Sequence, residues 1–251
     1  MLSPKEIAKK WETTANQKGN LSAGKCFFLA VLAGLYIALG AVGCTVVQAS
    51  VGGGLGKLLG ACVFPAGLML VVMAGGELFT GNCLMAGPAV RGKVRWLRVL
   101  RNWMIVYAGN FCGALVAAAI AVYGGVLTGD TARQAMAVGA AKASLPFVQA
   151  LLKGVGCNIL VCAAVWMASG AEGAAGKAVC CFFPVMLFVV CGLEHSVANM
   201  YYLPAWLMLS AEGNLGLGPA AAVLKNLLPV TMGNLMGGAG LAAVYAGVYH
   251  D

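Results

Sequence analysis

Two carboxylates, an imidazole and a hydroxyl stand inside segments whose other residues are nearly all apolar. Glu194 and His195 lie side by side in GLEHSVANM, residues 192–200, directly after the charge-free run Ala178–Leu193. Glu77 and Thr80 occupy GGELFTGN, residues 75–82, in an earlier apolar stretch. An ionisable group inside a membrane segment is a functional hypothesis by default. His195, the only histidine away from the chain end, can donate or accept a hydrogen bond and titrates near neutral pH; the plainer alternative is a neutral ring that hydrogen-bonds a loop. The Thr80 hydroxyl can donate to an anion, and it can equally cap a helix that restarts there.

The same residues exclude other chemistries. A hydrolase built on Ser196 and His195 needs nucleophile and base to face each other, which neighbours on one helix or strand do not do. No GxSxG motif is present, and the ten cysteines are scattered through apolar segments without a CxxC pair. Free cysteine behaves as a small buried hydrophobe, and the usual metal-ligand spacings are missing, so neither metal nor cofactor is expected. The net charge of +8 comes from basic residues in short flanks between apolar runs. That is where topology signals belong, and nucleic acid is not an expected partner.

Those groups need elements to hold them, and composition says which. The chain is 61% hydrophobic and 10% charged, against about a quarter charged in an ordinary soluble domain. Charge-free runs such as Cys26–Gly56, Asn102–Gly129 and Asn226–Tyr249 exceed the roughly 20 residues a spanning helix needs. Six spans are expected in the lipid bilayer, at about 26–49, 58–86, 102–127, 145–168, 178–209 and 226–249. Residues 1–25 read as an amphipathic segment without a cleavable signal, and 26–251 as one six-span channel domain. Lysine and arginine divide eleven against four between the two faces, with Lys57, Arg133, Lys142 and Lys225 on the poorer one. The positive-inside rule then places both termini in the cytoplasm of a cell-membrane protein.

An internal repeat joins the two odd segments. Gly75, Glu77 and Asn82 recur as Gly192, Glu194 and Asn199 at an offset of 117 residues. Asn102, Gly109-Asn110 and Gly113 recur as Asn226, Gly233-Asn234 and Gly237 at an offset of 124. Two such matches point to gene duplication, with repeats of about 26–127 and 145–249. Each unit has three spans, an odd number, so the halves insert in opposite directions. Inverted repeats with paired broken helices are a transporter and channel signature, with the site at the breaks. Non-helical backbone is tolerated at membrane depth only where it lines a cavity or is buried in protein. Glu77 and Glu194 are expected to accept from the freed backbone N–H groups, and Asn82 and Asn199 to support the breaks with them. Asn110 and Asn234 read as interhelical glue. Phe64 and Leu68 share a helix face, Phe188 lies two turns before His195, and Leu78 and Phe79 flank the first break; together they can form apolar constrictions around a polar midpoint, or simply pack.

GELFTGN, KGVGCNILVCAAVW (153–166), GLEHSVANM and VTMGN (230–234) resemble the formate/nitrite transporter family, over essentially the whole chain. The resemblance implies an aquaporin-like, all-α membrane fold of six transmembrane helices with the second and fifth broken, assembled as a homopentamer with one pore per subunit. It implies small monovalent weak-acid anions as substrates: formate, nitrite or hydrosulfide, and in some members lactate or acetate. Carried over, it makes His195 the central pore histidine and Thr80 its partner. Leu68, Phe79 and Phe188, with Phe64, match constriction positions. Lys142 matches an outer vestibule lysine, Lys18 an inner one, and Asn158 a polar vestibule position. The GELFTGN form is closer to the nitrite and hydrosulfide branches than to the formate branch.

Physical chemistry supports the same chemistry independently. An isolated ion in low dielectric neutralises rather than crosses. A lysine at the mouth attracts the anion, desolvation then raises the acid's pKa, and the neutral acid passes with a proton or hydrogen bond from His195. The alternative is an aquaporin-like channel for neutral solutes. Gly87-Pro88-Ala89 and Gly218-Pro219-Ala220 look like degraded aquaporin triplets, but they lack the asparagine before proline and lie past the breaks.

Overall fold

The computed structural model describes residues 1–210 and 219–249. Helix α1 (Pro4–Gly19) opens on a reciprocal cap in which the Ser3 hydroxyl accepts from the Glu6 N–H and the Glu6 carboxylate accepts from Ser3. The hydrogen bonds from Ser3, its side chain first, hold the Glu6 carboxyl below the ordinary range. α1 buries Ile7, Ala8, Trp11 and Ala15, and it is tied down where Lys10 Nζ donates to the Ser169 carbonyl and Trp11 Nε1 to the Ser169 hydroxyl. The amphipathic segment is therefore a helix docked on the bundle.

The first repeat begins with α2 (Ala23–Val51). The second span is assembled from α3 (Gly53–Val63), α4 (Ala66–Leu70) and a π-helical turn at Val71–Gly75. Pro65 separates the first two, as expected of a residue that donates no backbone hydrogen bond. Backbone at 76–78 is non-helical, and the chain restarts as α5 (Phe79–Asn82), a 3₁₀ turn at Cys83–Met85 and α6 (Ala86–Val90). α7 (Trp96–Tyr123) completes the repeat. α8 (Gly129–Ala143) follows, then α9 (Phe147–Gly170), α10 (Gly173–Val190), a second break, α11 (Ser196–Leu209) and α12 (Pro219–Val248). Six helices are long and apolar enough to span a membrane among the described residues. The fold is an all-helical membrane bundle with its second and fifth spans broken.

Two differences from the sequence expectation have physical causes. The third span starts at Trp96 rather than 102, with Arg98 and Arg101 in its opening turns; Arg101 reaches the Leu21 carbonyl at 3.0 Å. The connection expected at 127–145 contains α8, whose GDTARQAMAVGAAKA composition carries no spanning run yet helps pack the bundle through Gly139, where a Cβ would strike Trp206. Gly87-Pro88-Ala89 lies within α6, and Gly218 of the second triplet is outside the described residues.

Close helix contacts keep the repeats compact. A Cβ on Gly113 would fall on the Val31 carbonyl between α7 and α2, and one on Gly237 would fall on the Val155 carbonyl between α12 and α9. Both members of the second pair are 124 residues after those of the first. At the breaks, Gly75 and Gly192 hold φ of +96° and +66°, a region glycine enters without the Cβ penalty.

Candidate functional site

Each break frees backbone groups that lipid cannot satisfy. Asn110 accepts the Phe79 N–H at 2.9 Å and donates to the Ala30 and Glu77 carbonyls at 2.7 and 2.9 Å. Asn234 repeats the arrangement: it accepts the Ser196 N–H at 2.8 Å and donates to the Gly154 and Glu194 carbonyls at 2.9 and 3.0 Å. The first N–H of each restarting helix, at Phe79 and at Ser196, is thus accepted by an asparagine side chain and not by Glu77 or Glu194. The two asparagines read as glue are the groups that make the breaks tolerable.

The carboxylates serve another purpose. Glu77 accepts from Lys18 Nζ at 2.6 Å and from Asn82 Nδ2 at 2.7 Å. Asn82 also donates to the Asn102 side chain, and Asn102 donates back to the Lys18 carbonyl. The second repeat closes the same ring: Lys142 and Asn199 donate to Glu194 at 2.9 and 2.6 Å, Asn199 donates to Asn226, and Asn226 donates to the Lys142 carbonyl. Lys18 and Lys142 are therefore ion-paired and half-buried. The paired carboxylate offsets most of each lysine's distant field, and what remains is a set of ammonium N–H donors at short range. Lys142 also lies over the Tyr202 ring at 5.2 Å.

Between the rings runs an uneven passage. On the α8 side, a cavity of about 140 Å³ is lined by Cys44, Gln48, Lys142, Tyr202, Glu194 and His195 among others. On the α1 side, a cavity of about 440 Å³ is bordered by Lys10, Trp11, Lys18, Glu77, Leu78 and Lys177. They are separated by a chamber of only about 10 Å³ among Phe64, Leu68, Leu78, Val161, Phe188 and His195. That is about the least space that holds one water. Phe64 and Phe188 meet edge to face at 5.6 Å, and Phe188 stacks on the His195 ring at 5.8 Å and 15°. The chain breaks between Phe188 and His195, so their contact arises across the break and not from two continuous turns.

His195 and Thr80 bring the two breaks together, with Thr80 Oγ1 2.9 Å from His195 Nε2. The ring's other nitrogen, Nδ1, accepts the Ala198 N–H at 3.1 Å and caps α11. An acceptor nitrogen carries no proton, so a neutral ring holds its proton on Nε2. His195 then donates to Thr80, and the Thr80 proton is free to point to a third atom. A doubly protonated ring would set N–H against N–H at Ala198 and lose the cap.

Two other expected residues lie elsewhere. The Phe79 ring packs edge-on against Tyr107 at 4.9 Å, and Leu78, immediately before the helix restarts, lines the passage instead. Asn158 is fully buried behind Thr80, donating to the Thr80 and Asn234 carbonyls at 3.3 and 2.6 Å; it is not a vestibule residue. Sequence reasoning left Asn102 and Asn226 outside the site, although their shared place in the repeat was a usable signal. Lys10, Lys177, Gln48 and Tyr202 carried no signal that set them apart from ordinary flank and helix residues.

The formate/nitrite transporter family model matches residues 5–248. A probable formate transporter of Methanothermobacter thermautotrophicus is 39% identical over 94% of this chain and 93% of its own length. The formate channel FocA of Haemophilus influenzae is 35% identical over 95% and 91%. A solved FNT family ion channel superposes with a TM-score of 0.87 at 27% identity, covering 95% of this chain and 96% of that one. A pentameric formate channel with formate bound does so with a TM-score of 0.77 at 34% identity, covering 89% and 95%. These relatives lend no support to the leaning toward the nitrite and hydrosulfide branches. The chain is a membrane transport protein, not an enzyme, and it belongs to the formate/nitrite transporter family.

Proposed function

We propose that the protein conducts small monovalent weak-acid anions, formate foremost, through a pore in each subunit of a homopentamer, and that they cross the centre as the neutral acid. The observation that carries this reading is the Thr80–His195 pair, a polar bridge between the two repeats beside an apolar seal. Ions entering either cavity meet the N–H donors of Lys18 or Lys142. At the seal of Phe64, Leu68, Leu78 and Phe188, loss of water favours the uncharged form. His195 donates through Nε2 to Thr80, and the polarised Thr80 hydroxyl donates to the substrate oxygen, each bond strengthening the next. The proton that neutralises the anion comes from hydronium of the acidic solution, relayed by water in the cavity, because the cap at Ala198 keeps His195 neutral. Both termini lie in the cytoplasm, so the larger cavity faces inward.

The relatives named for formate support the substrate class, and nitrite and hydrosulfide share its chemistry. Stopped-flow assays on proteoliposomes test it. Formate, nitrite and hydrosulfide should pass, faster as the outside is acidified, while chloride passes much more slowly because it is not neutralised in that range. Equal chloride and formate fluxes refute passage as the neutral acid. Water or glycerol conduction without acid dependence would favour a neutral-solute channel.

A further inference from the structure

The two restarts after the breaks are not alike. After the second break, Ser196–Leu209 is a single α-helix. After the first, α5 lasts four residues and gives way to a 3₁₀ turn. The Thr80 carbonyl takes the tight bond from the Cys83 N–H, and two side chains of α9 also reach it: Asn158 Nδ2 at 3.3 Å and Cys162 Sγ at 3.3 Å. Both acceptors of Asn158, the Thr80 and Asn234 carbonyls, require its amide nitrogen, which fixes the orientation of that group. α12 braces them from behind: a Cβ on Gly238 would collide with Asn158 Nδ2 and stand 2.9 Å from Cys162 Sγ.

The other repeat has no such device. The first and fourth spans correspond at an offset of 124, as shown by Leu29 and Lys153, whose carbonyls accept the Glu77 and Glu194 N–H groups. Asn158 and Cys162 therefore correspond to Gly34 and Ala38, and Thr80, at the offset of 117, to Val197. Among the described residues, side chains of the matching span catch a carbonyl of the restarted helix only in the first repeat, where the restart is irregular and carries the hydroxyl facing His195.

We infer that Asn158 and Cys162 are positioning residues, which hold the Thr80 turn out of regular helix so that its hydroxyl meets His195 and the passing acid. This rests on the proposed role of Thr80, and the experiment separates the two. Asn158→Ala, Cys162→Ala and Cys162→Ser are made in wild-type and Thr80→Val backgrounds. Assembled oligomers are reconstituted, and formate flux is measured by stopped-flow. In the wild-type background, Asn158→Ala should slow flux about fivefold, the effect of one neutral hydrogen bond, and Cys162→Ala about twofold, as befits a weak thiol donor. Cys162→Ser, which keeps a donor, should retain wild-type flux. In the Thr80→Val background, all three should change flux by less than about 1.5-fold, because residues that act through one group are not additive. Equal losses in both backgrounds mean general packing and overturn the inference. Full flux in Thr80→Val overturns the Thr80 reading and the inference with it. If Asn158→Ala does not assemble, because it also frees the Asn234 carbonyl, the cysteine variants decide: loss in Cys162→Ala, rescue by serine and silence on Thr80→Val support the inference, and any other pattern refutes it.

Discussion

His195 performs two tasks with two nitrogens, and a substitution can separate them. Nδ1 caps α11 by accepting the Ala198 N–H at 3.1 Å, while Nε2 faces Thr80 at 2.9 Å. Asparagine is among the best helix N-caps; its amide oxygen can take over at Ala198, but its short side chain cannot reach Thr80. Phenylalanine fills the ring's space and supplies neither bond. Loss of the cap costs about 1 kcal/mol, roughly 2–4 °C in Tm for a chain of this size. His195→Phe should therefore melt lower than wild type, and His195→Asn should not. Hydrogen bonds between neutral groups are worth about 1 kcal/mol, and about 1.36 kcal/mol is tenfold in rate. Both variants should thus conduct formate about fivefold more slowly, despite their different stabilities. Oligomer state by size exclusion, melting by scanning fluorimetry and flux by stopped-flow give the three readouts on one preparation. Wild-type flux through an assembled His195→Asn channel would refute the donor role and leave the ring as a cap.

Thr80→Val should slow formate about fivefold, since a neutral hydroxyl contributes nearer 1 kcal/mol, and its combination with His195→Asn should fall short of the product of the single effects; full multiplicativity would mean that the two groups act at different moments. Lys142→Met leaves Glu194 without its ammonium partner in a half-buried site, a loss of about 3–5 kcal/mol for a buried pair, so its melting temperature should drop and should recover when Glu194→Gln is added. No recovery in the double variant would show that the pair is not coupled. Single cysteines placed near Arg95 and Lys177, in a background without native cysteines, should label from the cytoplasm and one near Arg133 from outside; the reverse pattern would invert the topology and the assignment of the two cavities.

The sequence made the scaffold of the site readable because duplication wrote it twice. Glu77 with Asn82, and Glu194 with Asn199, stand at one spacing, and Asn102 with Asn110, and Asn226 with Asn234, at another. What those residues bind was not readable. Lys18 meets Glu77 across 59 residues and Lys142 meets Glu194 across 52, and no local period encodes such a pairing. An asparagine in an apolar helix announces a polar partner without naming it; here the partner is backbone released by the break. That Leu78 lines the passage while Phe79 packs against Tyr107 has a smaller cause. Which of two neighbours faces a pore depends on the residue at which the helix restarts, and sequence does not fix helix ends to one residue.

Duplication alone would build a pore with two identical halves, and identical halves would serve this chemistry poorly. A ring of apolar groups strips water from an ion but offers nothing in return, and a ring of donors holds the ion without neutralising it. At the breaks the repeats have diverged where it matters. His195 stands where its counterpart is Leu78, and Thr80 where its counterpart is Val197, so each polar group has an apolar counterpart in the other repeat. The donor of one repeat meets the hydroxyl of the other at 2.9 Å, and Leu78 joins Phe64, Leu68 and Phe188 in the seal. The symmetric parts, two asparagine braces and two lysine–carboxylate rings, hold the breaks open to the passage from either face. The asymmetric parts place desolvation and hydrogen bonding at the same point, which is the combination that the proposed crossing as a neutral acid requires.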